Sequence, residues 1–212
     1  MNIQKLDNHN FDTSKTVVLC CKGPSSIEAP KHTEGKYVAV TTSACSIFNH
    51  CDFLFANDVE FFQTANVEHV DNLIVPVVMH VTEHGFANVH EHLPVEKHLF
   101  HHVLKDFKQN IYTYRLHTQD RSPRYRSMDI SPIGDEFSFD PIISGYQTAL
   151  HWLTKVGFRN FDIFGVSECG DYNTNTVNKH VPKAARPPSF FQTNYKMGVD
   201  ILNRFNCNFR IH

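Results

Sequence analysis

Hydrophobic and polar positions alternate in blocks along this chain, and the blocks predict strands and helices in turn. Short apolar runs rich in β-branched and aromatic residues predict strands at residues 16–20, 36–41, 51–56, 72–78, 111–114, 160–165 and 208–211. Apolar residues at helical spacing predict helices at residues 58–65, 91–107, 145–156 and from 189 onward. Because strands alternate with helices, we predict an α/β fold with a mainly parallel Rossmann-like sheet, helices on both faces and a single domain spanning residues 1–212.

Proline, glycine and polar residues mark where these elements end. Pro76 predicts that the fourth strand ends early or runs along an edge of the sheet, and Gly157 predicts the end of the long helix before it. Residues 117–140 are polar, so we expect a long surface excursion there. Residues 167–188 form a second polar loop, and Ser189 is expected to cap the last helix.

The turn after the first long strand carries the clearest candidate chemistry. Gly23, Pro24 and Ser25 follow the apolar run that ends at Cys20, with Pro24 placed to open a helix and a serine available to cap it. The first amides of a helix lack partners inside the helix, and a glycine lets a ligand approach the backbone. The turn therefore indicates a phosphate site, although an ordinary connection between a strand and a helix has the same residues.

Three further polar segments fall at the predicted carboxyl ends of strands. They are residues 41–46, 57–58 and 167–172. Together with residues 22–26 of the first turn, they make four polar segments at strand ends. In an open parallel sheet, ligands bind beyond the carboxyl ends of the strands. We therefore expect the functional site at this edge of the sheet.

Composition narrows the range of partners. The net charge of −2 with neutral histidines gives no basic surface for nucleic acid, and no apolar segment is long enough to span a bilayer. The six cysteines include no C-x-x-C pair, which favours free buried thiols in a reducing, cytoplasmic compartment. The composition is compatible with peripheral contact with a membrane and with assembly into a homo-oligomer, and it decides neither.

Several of these segments together resemble the small bacterial sialyltransferases that modify lipooligosaccharide. The similarity rests on Val17–Ser25 at the first turn, on the strand from Cys51 that ends at Asn57, on Ile143-Ser144-Gly145, and on Gly157-Phe158 leading to Ile163–Val166. The segments occur in the family's order and at similar spacing. The resemblance implies a Rossmann-like fold and an inverting, metal-independent transfer of a sugar from a CMP-activated donor to a glycan acceptor.

The resemblance also implies which residues contact the nucleotide. Gly23, Pro24 and Ser25 would lie against phosphate and ribose, Asn57 against the nucleotide, and Ser144 and Gly145 near cytidine and phosphate. Lys22 stands where the family usually has asparagine. Where the family has an asparagine after the second strand, this chain offers Thr41, Thr42 or Ser43, and Thr42 is the candidate for the nucleotide contact.

Transfer chemistry needs a base for the acceptor hydroxyl and groups that stabilise the departing phosphate. Residues 173–188 match the family's lid, and His180 within them is the candidate base. Tyr172 is the candidate for assisting phosphate departure. Basic residues of the lid would complement the phosphate; they are Lys179, Lys183 and Arg186. Because no Asp-x-Asp pair occurs, we expect neither a metal nor a cofactor besides the donor substrate.

Two alternatives come from other features of the chain. The family's catalytic histidine precedes the last helix, where this chain has Ser189 and Phe190, so a nucleotide-binding protein without transferase activity is one alternative. The second is a zinc hydrolase, because His80, Glu83 and His84 match the spacing H-x-x-E-H, which on a helix can hold zinc. Further histidines follow without a recognisable metal spacing; they are His90, His92, His98, His101 and His102.

Overall fold

The computed structural model describes residues 2–4, 9–56, 66–76, 78–82, 90–94, 107–116, 138–139, 144–167 and 188–212. Its strands are β1 Asn2–Ile3, β2 Thr16–Cys20, β3 Tyr37–Thr41, β4 Cys51–Phe55, β5 Val70–Pro76, β6 Val78–Thr82, β7 His90–Pro94, β8 Asn110–Leu116, β9 Ser138–Phe139, β10 Asn160–Phe164 and β11 Asn208–Ile211. Its α-helices are α1 Gly145–Val156 and α2 Pro188–Arg204. Two 3₁₀ helices cover Pro24–His32 and Thr42–Ile47.

One parallel sheet organises the described residues. Its strands lie in the order β1-β8-β5-β4-β3-β2-β10-β11, with β9 paired to β8, and every pairing among them is parallel. The chain runs outward from β2 through β3, β4 and β5, then returns to place β10 on the other side of β2. The strand order therefore reverses between β2 and β10, which is where an open α/β sheet forms its binding crevice.

Buried side chains cover both faces of this sheet. One core contains Val18 and Cys20 with the 3₁₀ helix residues Ala29 and Ala44, and the other contains Val17 and the residues of α1 and α2. Alternate residues of β2 point to opposite faces, as a strand requires. The prediction of an α/β fold with a Rossmann-like sheet is confirmed.

Aromatic rings fill the core on the α1 side. Phe53 of β4 lies edge-on to Phe11 with the two ring centroids 4.9 Å apart, and Trp152 of α1 lies 5.8 Å from Phe53. Phe53 and Trp152 are fully buried. These contacts fix α1 against the middle of the sheet and thereby fix where the first turn of α1 lies.

Several predicted boundaries are confirmed. Gly157 ends α1 in the left-handed conformation, and its amide donates to the Leu153 carbonyl. Strand β5 ends at Pro76 as predicted, although it lies between β4 and β8 rather than along an edge. The described cysteines are free, and Cys20, Cys21, Cys45 and Cys51 are buried. Among the described residues, the structure contains no helix with the length and apolar character needed to cross a bilayer.

Other predictions were wrong. The segment after Gly23 is a 3₁₀ helix, capped at Gly23 without a side-chain hydrogen bond. Residues 91–94 were expected within the helix at 91–107, but they belong to β7 and pair with β6, because a strand partner nearby outweighs weak helical spacing. Helix α2 begins at Pro188, so Ser189 lies inside it, and Ser138–Phe139 adds a strand to the expected excursion. The helix predicted at residues 58–65 lies outside the described residues.

Candidate functional site

The chain segments that follow β2 and β10 are held together by their backbones. The Cys21 amide donates to the Phe164 carbonyl at 2.8 Å, and the Gly23 amide donates to the Gly165 carbonyl at 2.8 Å. A Cβ atom on Gly23 would lie 2.7 Å from the Gly165 carbonyl oxygen, so only glycine allows this approach. The expectation of unpartnered amides after Cys20 is therefore wrong at Cys21 and Gly23, and the backbone that approaches Gly23 belongs to Gly165.

Ser25 joins the same contact rather than capping a helix. Its hydroxyl accepts from the Gly165 amide at 2.8 Å and donates to the His212 carbonyl at 2.7 Å. The turn thus links β2 to β10 and β11. Lys22 and Pro24 lie in the same turn. Contact of Lys22, Gly23, Pro24 and Ser25 with a nucleotide stays a prediction.

The first turn of α1 has the features of an anion site. Ser144 is the N-cap residue, but its hydroxyl makes no capping hydrogen bond, whereas its carbonyl accepts from the Thr148 amide at 3.2 Å. A serine at this position normally accepts a hydrogen bond from the helix backbone. The first turn also contains no acidic residue to offset the helix dipole. Its amides are therefore suited to a negatively charged ligand.

The end of β3 meets this turn. A Cβ atom on Gly145 would lie 3.5 Å from Cβ of Thr41, so the two backbones are close. Thr42, the next residue, has a φ of 44°, a left-handed conformation that is strained for a β-branched side chain. Strain of this kind concentrates at ligand-binding and catalytic sites.

Tyr146 completes the arrangement from inside the core. The side chain is buried, and Cys21 lies close enough to disfavour ionisation of the phenol. Burial raises the pKa of Tyr146 far above its usual range and raises the pKa of Cys21 to about 12. Both groups stay neutral at physiological pH, so the phenol keeps its proton and can donate it in a hydrogen bond.

Three hydroxyls from the end of β3 and the first turn of α1 are buried without a hydrogen-bond partner among the residues that the structure describes. They are Thr42 Oγ1, Ser144 Oγ and Tyr146 Oη, and we refer to these residues as the hydroxyl cluster. Leaving one buried polar group unpaired costs about 1–3 kcal/mol. A ligand with several acceptor oxygens would supply the missing partners.

The structure brings together some predicted site residues and leaves others untested. Thr42, Ser144 and Gly145 converge at the end of β3. Six other candidates lie outside the described residues, as do residues 173–187 of the lid expected at 173–188; the six are Asn57, Tyr172, Lys179, His180, Lys183 and Arg186. The sequence reasoning missed Tyr146, although its place on the buried side of an apolar helix beside Ser144 and Gly145 was a usable signal.

The first residue of the predicted zinc motif does not lie in a helix. His80 lies in strand β6, so the predicted H-x-x-E-H spacing does not sit on one helical turn there. Glu83 and His84 lie outside the described residues. A helix at His80 is therefore wrong, whereas the zinc hydrolase itself stays a prediction that the described residues do not test.

No protein-family model, curated protein or solved structure matches the chain. The function must therefore be inferred from the chemistry of the site and from the motifs.

Proposed function

We propose that this chain is a glycosyltransferase that binds a nucleotide-activated sugar, a CMP-sugar in particular, at the hydroxyl cluster. The proposal rests on the hydroxyls of Thr42, Ser144 and Tyr146, which are buried and have no hydrogen-bond partner within the described part of the chain. The similarity to sialyltransferases supports it, because that similarity independently selects Ser144 and Gly145 as nucleotide contacts.

The cluster offers neutral donors rather than cations. Serine, threonine and tyrosine hydroxyls donate to phosphate and ribose oxygens, and the first-turn amides of α1 add the positive end of the helix dipole. The donor's phosphate gains negative charge as its bond to the sugar breaks, so these donors favour its departure. Tyr172 and three basic residues of the lid are proposed to add to that stabilisation; the basic residues are Lys179, Lys183 and Arg186.

His180 is proposed as the base. Its neutral imidazole takes the proton of the acceptor hydroxyl while the acceptor oxygen bonds to the sugar carbon. The bond between that carbon and the phosphate oxygen breaks at the same time, and CMP leaves with the electron pair. Inversion at the sugar carbon follows from attack on the side opposite the leaving phosphate.

Replacing Ser144 by alanine will weaken CMP binding about tenfold or more without lowering the free energy of unfolding. Among the residues that the structure describes, this hydroxyl has no hydrogen-bond partner, so we expect its removal to take away a ligand contact and no internal hydrogen bond. Isothermal titration with CMP and chemical unfolding measure the two quantities. Thr154→Val is the matched control, since Thr154 Oγ1 donates to the Leu150 carbonyl at 2.7 Å within the same helix and CMP affinity should be unchanged.

Release of CMP from CMP-sialic acid tests transfer itself. We expect the wild-type chain to release CMP, and His180→Ala to slow release at least tenfold while CMP affinity is retained. Normal turnover by the variant would assign the base to another residue. If the wild-type chain binds CMP and releases none, the alternative of a nucleotide-binding protein without transfer holds, as Ser189 and Phe190 in place of the family's histidine suggest.

A further inference from the structure

Helix α2 carries a polar side chain on its buried face. The buried residues of this helix are Asn194, Gly198, Ile201 and Leu202, and Asn194 is only 7% exposed. Its Nδ2 donates to the Phe190 carbonyl at 3.0 Å, whereas its Oδ1 is buried and has no hydrogen-bond partner among the residues that the structure describes. Because a buried acceptor without a partner is costly, we expect a donating group to meet Oδ1 in the working protein.

The hydrogen bond to Phe190 fixes the orientation of the Asn194 amide. The oxygen and the nitrogen of a side-chain amide are told apart by their hydrogen bonds. If this amide were turned over, Oδ1 would face the Phe190 carbonyl oxygen and two acceptors would oppose each other. Nδ2 therefore stays at Phe190, and Oδ1 lies on the other side of the amide. Oδ1 accepts hydrogen bonds and cannot donate one.

Asn194 lies one helical turn from the contact between α2 and the hydroxyl cluster. A Cβ atom on Gly198, four residues later, would lie 2.5 Å from the Tyr146 phenol oxygen. Besides burial and Cys21, the neighbouring Tyr195 raises the pKa of Tyr146, so this turn of α2 lies near the phenol. Because β10 and β11 are parallel, α2 between them runs from the carboxyl edge of the sheet back to the amino edge. Asn194 precedes Gly198 and therefore lies on the crevice side of that contact.

We propose that Asn194 determines the base specificity of the nucleotide site by accepting a hydrogen bond from the 4-amino group of cytosine. The inference rests on the proposed function and deepens it. Phosphate oxygens accept hydrogen bonds, and ribose hydroxyls pair with other hydroxyls in either direction, so neither requires a partner that only accepts. The 4-amino group only donates, and it therefore complements Oδ1 of Asn194.

The same contact disfavours uracil. Uracil has a carbonyl oxygen where cytosine has the amino group, so two acceptors would face each other and Oδ1 of Asn194 would stay buried without a partner. A site that forms a hydrogen bond with one substrate discriminates strongly against an analogue that lacks the matching group. We therefore expect a preference for CMP over UMP that depends on Asn194.

Isothermal titration of the full chain with CMP and with UMP tests the inference. The wild-type chain should bind CMP at least about tenfold more tightly than UMP. Asn194→Leu, which replaces the amide with an apolar side chain of similar size, should weaken CMP binding by at least about tenfold and leave UMP binding equal or stronger. Asn203→Leu is the matched control, because Asn203 is exposed on the same helix and both affinities should be unchanged. Ser144→Ala should weaken both nucleotides alike, since its hydroxyl is assigned to parts that they share.

The outcomes separate this inference from the nucleotide site itself. Equal losses of CMP and UMP affinity in Asn194→Leu, an unchanged preference for CMP in that variant, or no preference in the wild-type chain would overturn the role of Asn194. The nucleotide site would still stand if CMP binds and Ser144→Ala weakens it. No binding of either nucleotide by the wild-type chain would overturn both.

Far-UV circular dichroism and urea unfolding show whether each variant is folded. Removing a buried acceptor that has no partner among the described residues should leave the free energy of unfolding of Asn194→Leu equal or higher. If Asn194→Leu is unfolded, Asn194→Ala replaces it, with the same loss of preference for CMP as the expected result and a retained preference as the result that overturns the inference.

Discussion

Replacing Gly165 by alanine will lower the free energy of unfolding by about 4 kcal/mol. Gly165 has a φ of +71°, which is costly for any residue with a Cβ atom. A Cβ atom there would also lie 2.6 Å from the Cys21 carbonyl carbon and 3.0 Å from the Gly23 nitrogen. Both neighbours are backbone atoms, which cannot rotate away, so the segments after β2 and β10 would have to separate. Urea unfolding of the purified variant measures the change.

Gly35 offers a matched control for the backbone part of this cost. Its φ is +70°, nearly the same as at Gly165, but nothing lies within 4 Å of the position a Cβ atom would take. We expect Gly35→Ala to cost about 1 kcal/mol, from the dihedral alone. The difference between the two variants isolates the steric contact between the ends of β2 and β10. Equal costs would mean that these two segments do not touch as described.

Replacing Gly198 by alanine will destabilise the protein by about 3 kcal/mol, although the same change in the middle of a helix usually stabilises it. Gly198 lies in α2, and a Cβ atom there would meet the Tyr146 ring, with the phenol oxygen 2.5 Å away. Tyr146 is buried and its ring lies against Gly198 of α2, so we expect that the ring can shift aside only by disturbing the core around it. Thermal and urea unfolding measure the change in the free energy of unfolding. The prediction is tested by whether Gly198→Ala lowers or raises that free energy.

A double-mutant cycle links that effect to Tyr146. In a Tyr146→Ala background the ring is absent, so Gly198→Ala should return to the usual small stabilisation. A cost that persists without the ring would show that another contact restricts Gly198. A stabilising Gly198→Ala in the wild-type chain would place Tyr146 elsewhere, and with it one of the three hydroxyls of the proposed nucleotide site.

The fold was predictable from sequence because its central strands are buried on both faces. Val17, Val18 and Leu19 are fully buried, so β2 is a continuous apolar run with no polar alternation. Gly157 likewise marks the end of α1 by its unusual backbone conformation. Local residue chemistry decided these features, and local patterns therefore predicted them.

The wrong predictions concern features that depend on distant partners. Residues 90–94 became a strand because β6 pairs with them, and no pattern within those residues specifies that partner. Ser25 looked like a cap, but its hydroxyl bonds to Gly165 and His212, which lie 140 and 187 residues away. At the candidate site, sequence selected Thr42 and Ser144. Sequence could not reveal the strained φ of Thr42, nor that the Thr42 and Ser144 hydroxyls are buried with no hydrogen-bond partner among the described residues, because both features arise only when β3 and α1 meet.

The most direct test of the nucleotide site compares CMP titration and thermal unfolding of the wild-type chain and the Thr42→Val, Ser144→Ala double variant. The valine keeps the branched shape of Thr42 and removes its hydroxyl. We predict that the wild-type chain binds CMP, that the double variant binds at least tenfold more weakly, and that its unfolding temperature is equal or higher. No binding by the wild-type chain, or equal binding by both, would contradict a nucleotide site at the hydroxyl cluster.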